Sequence, residues 1–152
     1  MSDTNSCGCE GSCHQPSSTT QTLTELDFSR GIWQAVVDGD IKAVQKCLTK
    51  KSVDVNVRDT GGYTPLHYSV VKDQNIDITR LLLENGADVN AATRSGGATP
   101  LHRAVLKSQL QTVKLLMEHD ADAKARNNDG LTPVDMAKSA PHSVSILNLL
   151  TS

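Results

Sequence analysis

The chain has 152 residues, 38% hydrophobic but only 3% aromatic, so it lacks the rings that usually anchor one deep core and points to a layered interior of Leu, Val and Ala. Seventeen acidic against 15 basic residues give a formal net charge of -2, which offers no general attraction for nucleic acid or an anionic membrane. No stretch approaches the roughly 20 apolar residues of a membrane span, and residues 1–22 hold no Lys, Arg or apolar run, so a secretory signal is not expected and the cytosol and/or nucleus is. In that reducing setting the four cysteines are expected as thiols or metal ligands rather than disulfides.

Residues 1–22 read as a flexible, disordered tail. Cys7, Cys9, Cys13 and His14 fall within eight residues, broken by Gly8, Gly11 and Ser12. Three thiolates and an imidazole match a tetrahedral zinc donor set. The spacing is tighter than paired two-residue knuckles, and Cys7 and Cys9 alternate as on a strand, so chelation needs a bend that the glycines allow. The alternatives are exposed thiols on a disordered segment and a redox-labile tail. Zinc here is the one cofactor expectation; none is expected elsewhere. Pro16, Ser17, Ser18, Thr19 and Thr20 read as linker.

From residue 23 onward the chain repeats itself. Thr64, Pro65, Leu66, His67 return 35 residues later as Thr99, Pro100, Leu101, His102, and 33 residues after that, decayed, as Thr132, Pro133, Val134, Asp135. A Thr at the N-cap followed by Pro at the first helical position opens a helix, because the hydroxyl serves an orphan N–H and the missing proline N–H costs nothing there. Taken in order, a degenerate first unit over 28–60 places Ile32 where Leu66 stands and Ala35 where Ser69 stands. Trp33 takes the motif His position, and Arg30, Gly31 replace Thr-Pro. The second unit, 61–95, has a first helix with Leu66, Ser69 and Val70 on one stripe and a second with Ile78, Leu81 and Leu82. The third, 96–128, repeats this with Leu101, Ala104, Val105 and then Val113, Leu116, Met117. The last, 129–152, ends in a helix facing inward through either Val144, Leu147, Leu150 or Ile146, Leu149. Gly86 is placed to end the second unit's outer helix in a left-handed conformation, with Asp120 at the matching place. The two extra residues of the 35-residue period fall between Val71 and Ile76 and within Thr93 to Gly97.

The period and the Thr-Pro-Leu-His signature resemble the ankyrin repeat. The resemblance runs over about 28–152 and implies an all-α solenoid of four helix-turn-helix repeats joined by short β-hairpin loops, with terminal repeats that lose the consensus. It implies a protein-binding, non-catalytic module, with His67 and His102 bonded to backbone and to the motif Thr as scaffold. A groove of hairpin tips and first helices would hold the partner. No Gly-rich phosphate loop, paired-histidine zinc motif or nucleophile elbow occurs, so no enzyme is expected.

Equivalent positions of successive repeats line up across such a groove. Arg58 and Arg126, each six residues before a motif Thr, are expected in one row, with Arg94 between them displaced by the insertion. Lys72 and Lys107, each eight after a motif Thr, form a second, joined by Arg103. Tyr63 and Val71 add aromatic and apolar contact. The expected partner is an acidic protein segment docked against Tyr63 and held by Arg58, Arg94 and Lys107, on a monomer that binds neither nucleic acid nor membrane. The competing reading is metal binding or thiol sensing through Cys7, Cys9, Cys13 and His14. The family resemblance also marks Asn56 and Asn90 as asparagine-hydroxylation candidates. Each follows a Val, has an Asp two residues before it and a Leu eight before it.

Overall fold

The computed structural model describes residues 23–50, 53–141 and 143–152; the Cys7, Cys9, Cys13, His14 cluster and the linker after it lie outside them. Eight α-helices and no strand occur among the described residues: α1 Leu23–Asp38, α2 Ile41–Thr49, α3 Pro65–Ser69, α4 Ile76–Glu84, α5 Pro100–Leu106, α6 Leu110–Glu118, α7 Pro133–Ser139 and α8 Val144–Thr151. Each odd helix packs on the even helix that follows it. Odd helices also pack on the next odd helix, and even on even. The result is an inner and an outer layer, repeated four times. None of the helices is long and apolar enough to cross a membrane.

The interior is one stripe of small aliphatics per repeat. Ile32, Val36, Leu66, Val70, Leu101 and Val105 close the inner layer, and Val44, Ile78, Leu82, Val113 and Leu116 meet them from the outer one, all buried. Ala35, Ser69, Ala104 and Ala137 occupy the same register on the four inner helices and are buried too. Small side chains there let neighbouring helices approach closely.

Local chemistry sets the boundaries. Pro65, Pro100 and Pro133 are first helical residues, with Thr64, Thr99 and Thr132 as N-caps. Without that punctuation α1 runs for 16 residues and starts at Leu23, five residues ahead of the unit boundary expected at residue 28. The last helix mixes the two expected registers: Ile146 and Leu150 are buried, Leu147 and Leu149 half-buried, and Val144 is 72% exposed. Burial at i and i+4 leaves Val144 on the opposite side of the helix.

Both insertions sit where the motif spacing puts them. A 3-10 turn, Asp73–Asn75, lengthens the link between α3 and α4. The inter-repeat loops are tight fingers rather than strand pairs, closed by Asp59 N–H to Tyr63 O, Thr93 N–H to Ala98 O and Asn127 N–H to Leu131 O, each at 3.0 Å; the middle finger carries the extra residue. Adjacent fingers also touch. Arg94 N–H donates to Gly61 O at 2.8 Å, and a Cβ on Gly62, itself at φ +81, would stand 2.7 Å from that same nitrogen. The outer helices of the middle repeats end on Gly86 at φ +88 and Asp120 at φ +63, so the third repeat closes with a residue that tolerates the left-handed region less well.

Ala104 is fully buried where three repeats meet, whereas Ala140 is a half-buried cap after α7. Ala104→Leu should therefore cost about 1 to 3 kcal/mol by overpacking, and Ala140→Leu should cost little. Urea unfolding of both variants checks the register, since equal losses would contradict it.

Candidate functional site

Each finger hands its polar atoms to the next repeat. Thr64 N–H donates to His67 Nδ1 at 3.1 Å, and the Thr64 hydroxyl lies 2.9 Å from the same nitrogen. An N–H pointing at Nδ1 makes that atom the acceptor, so the proton is on Nε2, which donates to Ala98 O at 3.1 Å. His102 repeats the pattern with Thr99 and with Leu131 O at 3.0 Å. Asp135 closes the last box onto Thr132 with no ring to reach beyond it.

Asn56 and Asn90 form a second ladder. Asn56 donates to Gly86 O at 3.1 Å and accepts from Asp88 N–H at 2.7 Å, and Asn90 does the same with Asp120 O at 3.3 Å and Asp122 N–H at 2.8 Å. A third ladder lies under the inter-helix turns, where Asn75 donates to Val36 O at 3.0 Å and Gln109 to Val71 O at 2.8 Å. Ser143, next in this series, is buried with no partner for its hydroxyl.

Burial pushes His67 down to about 4; the Ala98 carbonyl pulls the other way, and the Arg103 and Arg58 charges add to the depression. Burial likewise lowers His102. Both are neutral scaffold groups with both ring nitrogens committed.

The inner face carries the basic residues expected there, but the scaffold consumes several of them. Arg58 donates to Ala92 O at 2.8 Å, Arg126 to Gly130 O at 2.7 Å and Lys72 to Val37 O at 2.8 Å. In the finger register set by Asp59, Thr93 and Asn127, Ala92 holds the place between Arg58 and Arg126, and Arg94 sits two residues further on, at the fingertip. Arg103 stacks over the Tyr63 ring, 4.9 Å from its centroid. Tyr63 in turn meets His67 edge-on at 5.7 Å and Tyr68 at 5.9 Å. It is a packing residue as well as a surface one. Arg94 and Lys107 are exposed.

Sequence reasoning singled out Val71 but passed over its register mates. Val37 and Leu106 hold the same place one repeat either side and are 41% and 64% exposed; stepping one period from Val71 finds both. Trp33, Gln34 and Val37 of α1, Tyr68 of α3 and Asp59 of the first finger line a cavity of about 340 Å³ between the first two repeats. Among the described residues no group of three or more His, Cys, Asp and Glu is arranged to hold a metal.

Capped helix pairs, fingers and inter-repeat ladders define a repeat scaffold. The family model for ankyrin repeats in three copies matches residues 24–93, and that for many copies matches 91–137. The chain belongs to the ankyrin-repeat family. It is 42% identical over 84 residues to human ankyrin repeat domain-containing protein 39, covering 53% of this chain and 45% of that protein. The Bos taurus protein of the same name is 48% identical over 60 residues, 38% of this chain and 32% of that one. A Schizosaccharomyces pombe protein named palmitoyltransferase akr1 is 40% identical over 60 residues, 40% of this chain and 9% of its own length. The matches thus span less than half of each relative.

The depressed His67 couples stability to pH. The unfolded chain binds a proton near pH 6.5 and the folded one only near 4, so this contribution is complete above about pH 6.5 and is lost as pH falls toward 4. Unfolding free energy should drop by about 2 kcal/mol between pH 7 and pH 5, and His67→Asn should flatten the dependence. Urea melts at the two pH values measure this; an unchanged slope in the variant would assign the loss to other groups.

Proposed function

We propose that this chain is a non-catalytic adaptor, scaffold or inhibitor whose inner face binds an acidic segment of another protein. The carrying observation is the patch around Leu106. An apolar side chain that is 64% exposed is flanked in sequence by Arg103 and Lys107, and Arg94 is exposed on the finger that leads into the same helix. None of these three cations lies within ion-pair distance of a carboxylate among the described residues. Apolar area supplies affinity and unneutralised charge supplies steering toward an acidic partner. Val71 extends the apolar surface, and Arg58, Lys72 and Arg126 keep charge on the same face while holding backbone carbonyls. The weakly acidic composition of the whole chain favours a protein ligand over nucleic acid or membrane, and we place the protein, as a monomer, in the cytosol and/or nucleus.

Peptides selected from a displayed library against the immobilised full chain should be acidic. Arg94→Glu with Lys107→Glu should weaken them about tenfold without lowering the melting temperature, and 0.5 M salt should do likewise. Lys114→Glu on α6 should leave binding unchanged. Tyr63→Ala is a poor probe because its ring supports His67, Tyr68 and Arg103. Selected peptides that ignore the double variant but are lost on Lys114→Glu would refute the inner-face reading.

Asn56 and Asn90 are also proposed, on the family resemblance and their Leu, Asp, Val surroundings, as hydroxylation targets. Coexpression with an asparaginyl hydroxylase should add about 16 Da per site by intact mass, and the Asn56→Ala, Asn90→Ala double variant should show no gain.

A further inference from the structure

We infer that the cavity between the first two repeats is a seat for a basic side chain, an arginine or lysine of the bound segment, so that the inner face reads a charge-segregated ligand rather than a uniformly acidic one. This rests on the inner face being the binding surface. The walls are Trp33, Gln34 and Val37 from α1, Tyr68 from α3 and Asp59 from the first finger, around about 340 Å³, room for one long side chain and some water.

The lining offers two unused acceptors, at Asp59 and Gln34, beside two unused donors, the second Nε2–H of Gln34 and Trp33 Nε1. Asp59 Oδ1 takes the Gly61 and Tyr63 N–H groups at 2.9 and 2.8 Å, and Oδ2 takes the Tyr68 hydroxyl at 2.6 Å. A carboxylate offers about four lone-pair positions, so Oδ2 keeps one. Gln34 spends one Nε2–H on Asp38 at 2.8 Å, which puts a second carboxylate beside it and leaves its carbonyl oxygen unbonded. Trp33 Nε1 is a buried donor with no acceptor. Burial raises the Asp59 carboxyl, but the Tyr68 hydroxyl and the amides of Tyr63, Gly61 and Gly62 outweigh it and hold the group below its ordinary value, so it is ionised at neutral pH.

Among the described residues no cation lies within ion-pair distance of Asp59. Its neighbour Arg58 reaches Ala92 O, Lys72 is held on Val37 O, and Arg103 lies over Tyr63. A carboxylate facing two aromatic side chains and an aliphatic one suits a guanidinium or ammonium group, which has donors only and is attracted to ring faces. A carboxylate-bearing side chain would be repelled from the same place. Charge therefore changes sign along the face, from Asp38 and Asp59 at the first repeat to Arg94 and Lys107 at the third.

Trp33 is the sole tryptophan of the chain and reports on the cavity directly. The full chain is titrated with N-acetyl-Gly-Arg-Gly-amide, and with the lysine, citrulline and glutamate counterparts, at fixed ionic strength. The arginine and lysine tripeptides should change Trp33 fluorescence saturably, whereas citrulline, isosteric with arginine but neutral, and glutamate should not. Asp59→Asn should weaken the arginine response at least about fivefold and still fold. Asn127 holds the same place in the last finger, where its Oδ1 accepts from Asp129 and Leu131 N–H at 2.9 Å each. A citrulline response equal to that of arginine, or an arginine response unchanged by Asp59→Asn in a protein of normal melting temperature, would overturn the inference. Acidic-peptide binding, measured on the same samples, separates the two readings. Peptides that bind through Arg94 and Lys107 while arginine gives no saturable signal would sink the basic seat alone. An Asp59-dependent arginine signal without acidic-peptide binding would uphold the seat and sink the acidic-segment reading.

Discussion

A neutral imidazole has one acceptor and one donor, and the fold spends both of them at His67. Nδ1 closes the box that starts α3, and Nε2–H reaches the carbonyl of the next finger. One side chain thus fixes a helix start and a repeat-to-repeat distance together, and this link would fail if the ring carried a charge. The asparagine ladder and the inter-helix amides obey the same constraint: polar atoms that a short repeat cannot satisfy internally are satisfied by its neighbour. A four-repeat chain can therefore bury its few aliphatic layers without stranding backbone groups.

The same economy shapes the recognition face. Fingers that pack as closely as Gly62 against Arg94 leave carbonyl oxygens pointing sideways, and Arg58 and Arg126 are drawn onto them, while Lys72 takes the Val37 carbonyl at the end of α1. Basic residues that look equivalent by count are thereby sorted into those that brace the scaffold and those that remain for a ligand. Arg94 and Lys107 fall in the second group. At the other end, a tryptophan in the place of a histidine trades an inter-repeat bond for an aromatic wall, and the cavity beside it is the local result.

Whatever the Thr-Pro-Leu-His motif governs was legible in the sequence, because capping chemistry is local: the starts of α3, α5 and α7, both insertions and the left-handed ends at Gly86 and Asp120. The start of α1 was not read: no Thr-Pro pair marks it, and the cue the sequence does carry, Thr22 with Glu25 three residues on at the spacing of a capping box, was passed over for the apolar period that begins further along. The last helix was ambiguous for another reason: five of its eight residues are apolar and fall on more than one face. Arg58 and Arg126 could not be recognised as braces, because their acceptors are carbonyls whose direction depends on the finger. Val37 and Leu106 could have been found by carrying Val71 through the period. Whether Cys7, Cys9, Cys13 and His14 act together lies outside what the described residues address.

Ser143 is the short member of a series. Where Asn75 and Gln109 each reach back to a carbonyl of the preceding repeat, its hydroxyl is buried without a partner, and the asparagine ladder ends at Asn90, where Lys124 takes the next place, so two of three ladders stop before the final seam. In a linear array the coupling between neighbours, rather than total stability, decides whether the molecule opens as one unit or by parts. The seam between the second and third repeats keeps every rung and the one between the third and fourth does not. Cooperativity therefore runs out before the chain does, and the α7 and α8 pair is free to breathe on a faster clock than the block it leans against.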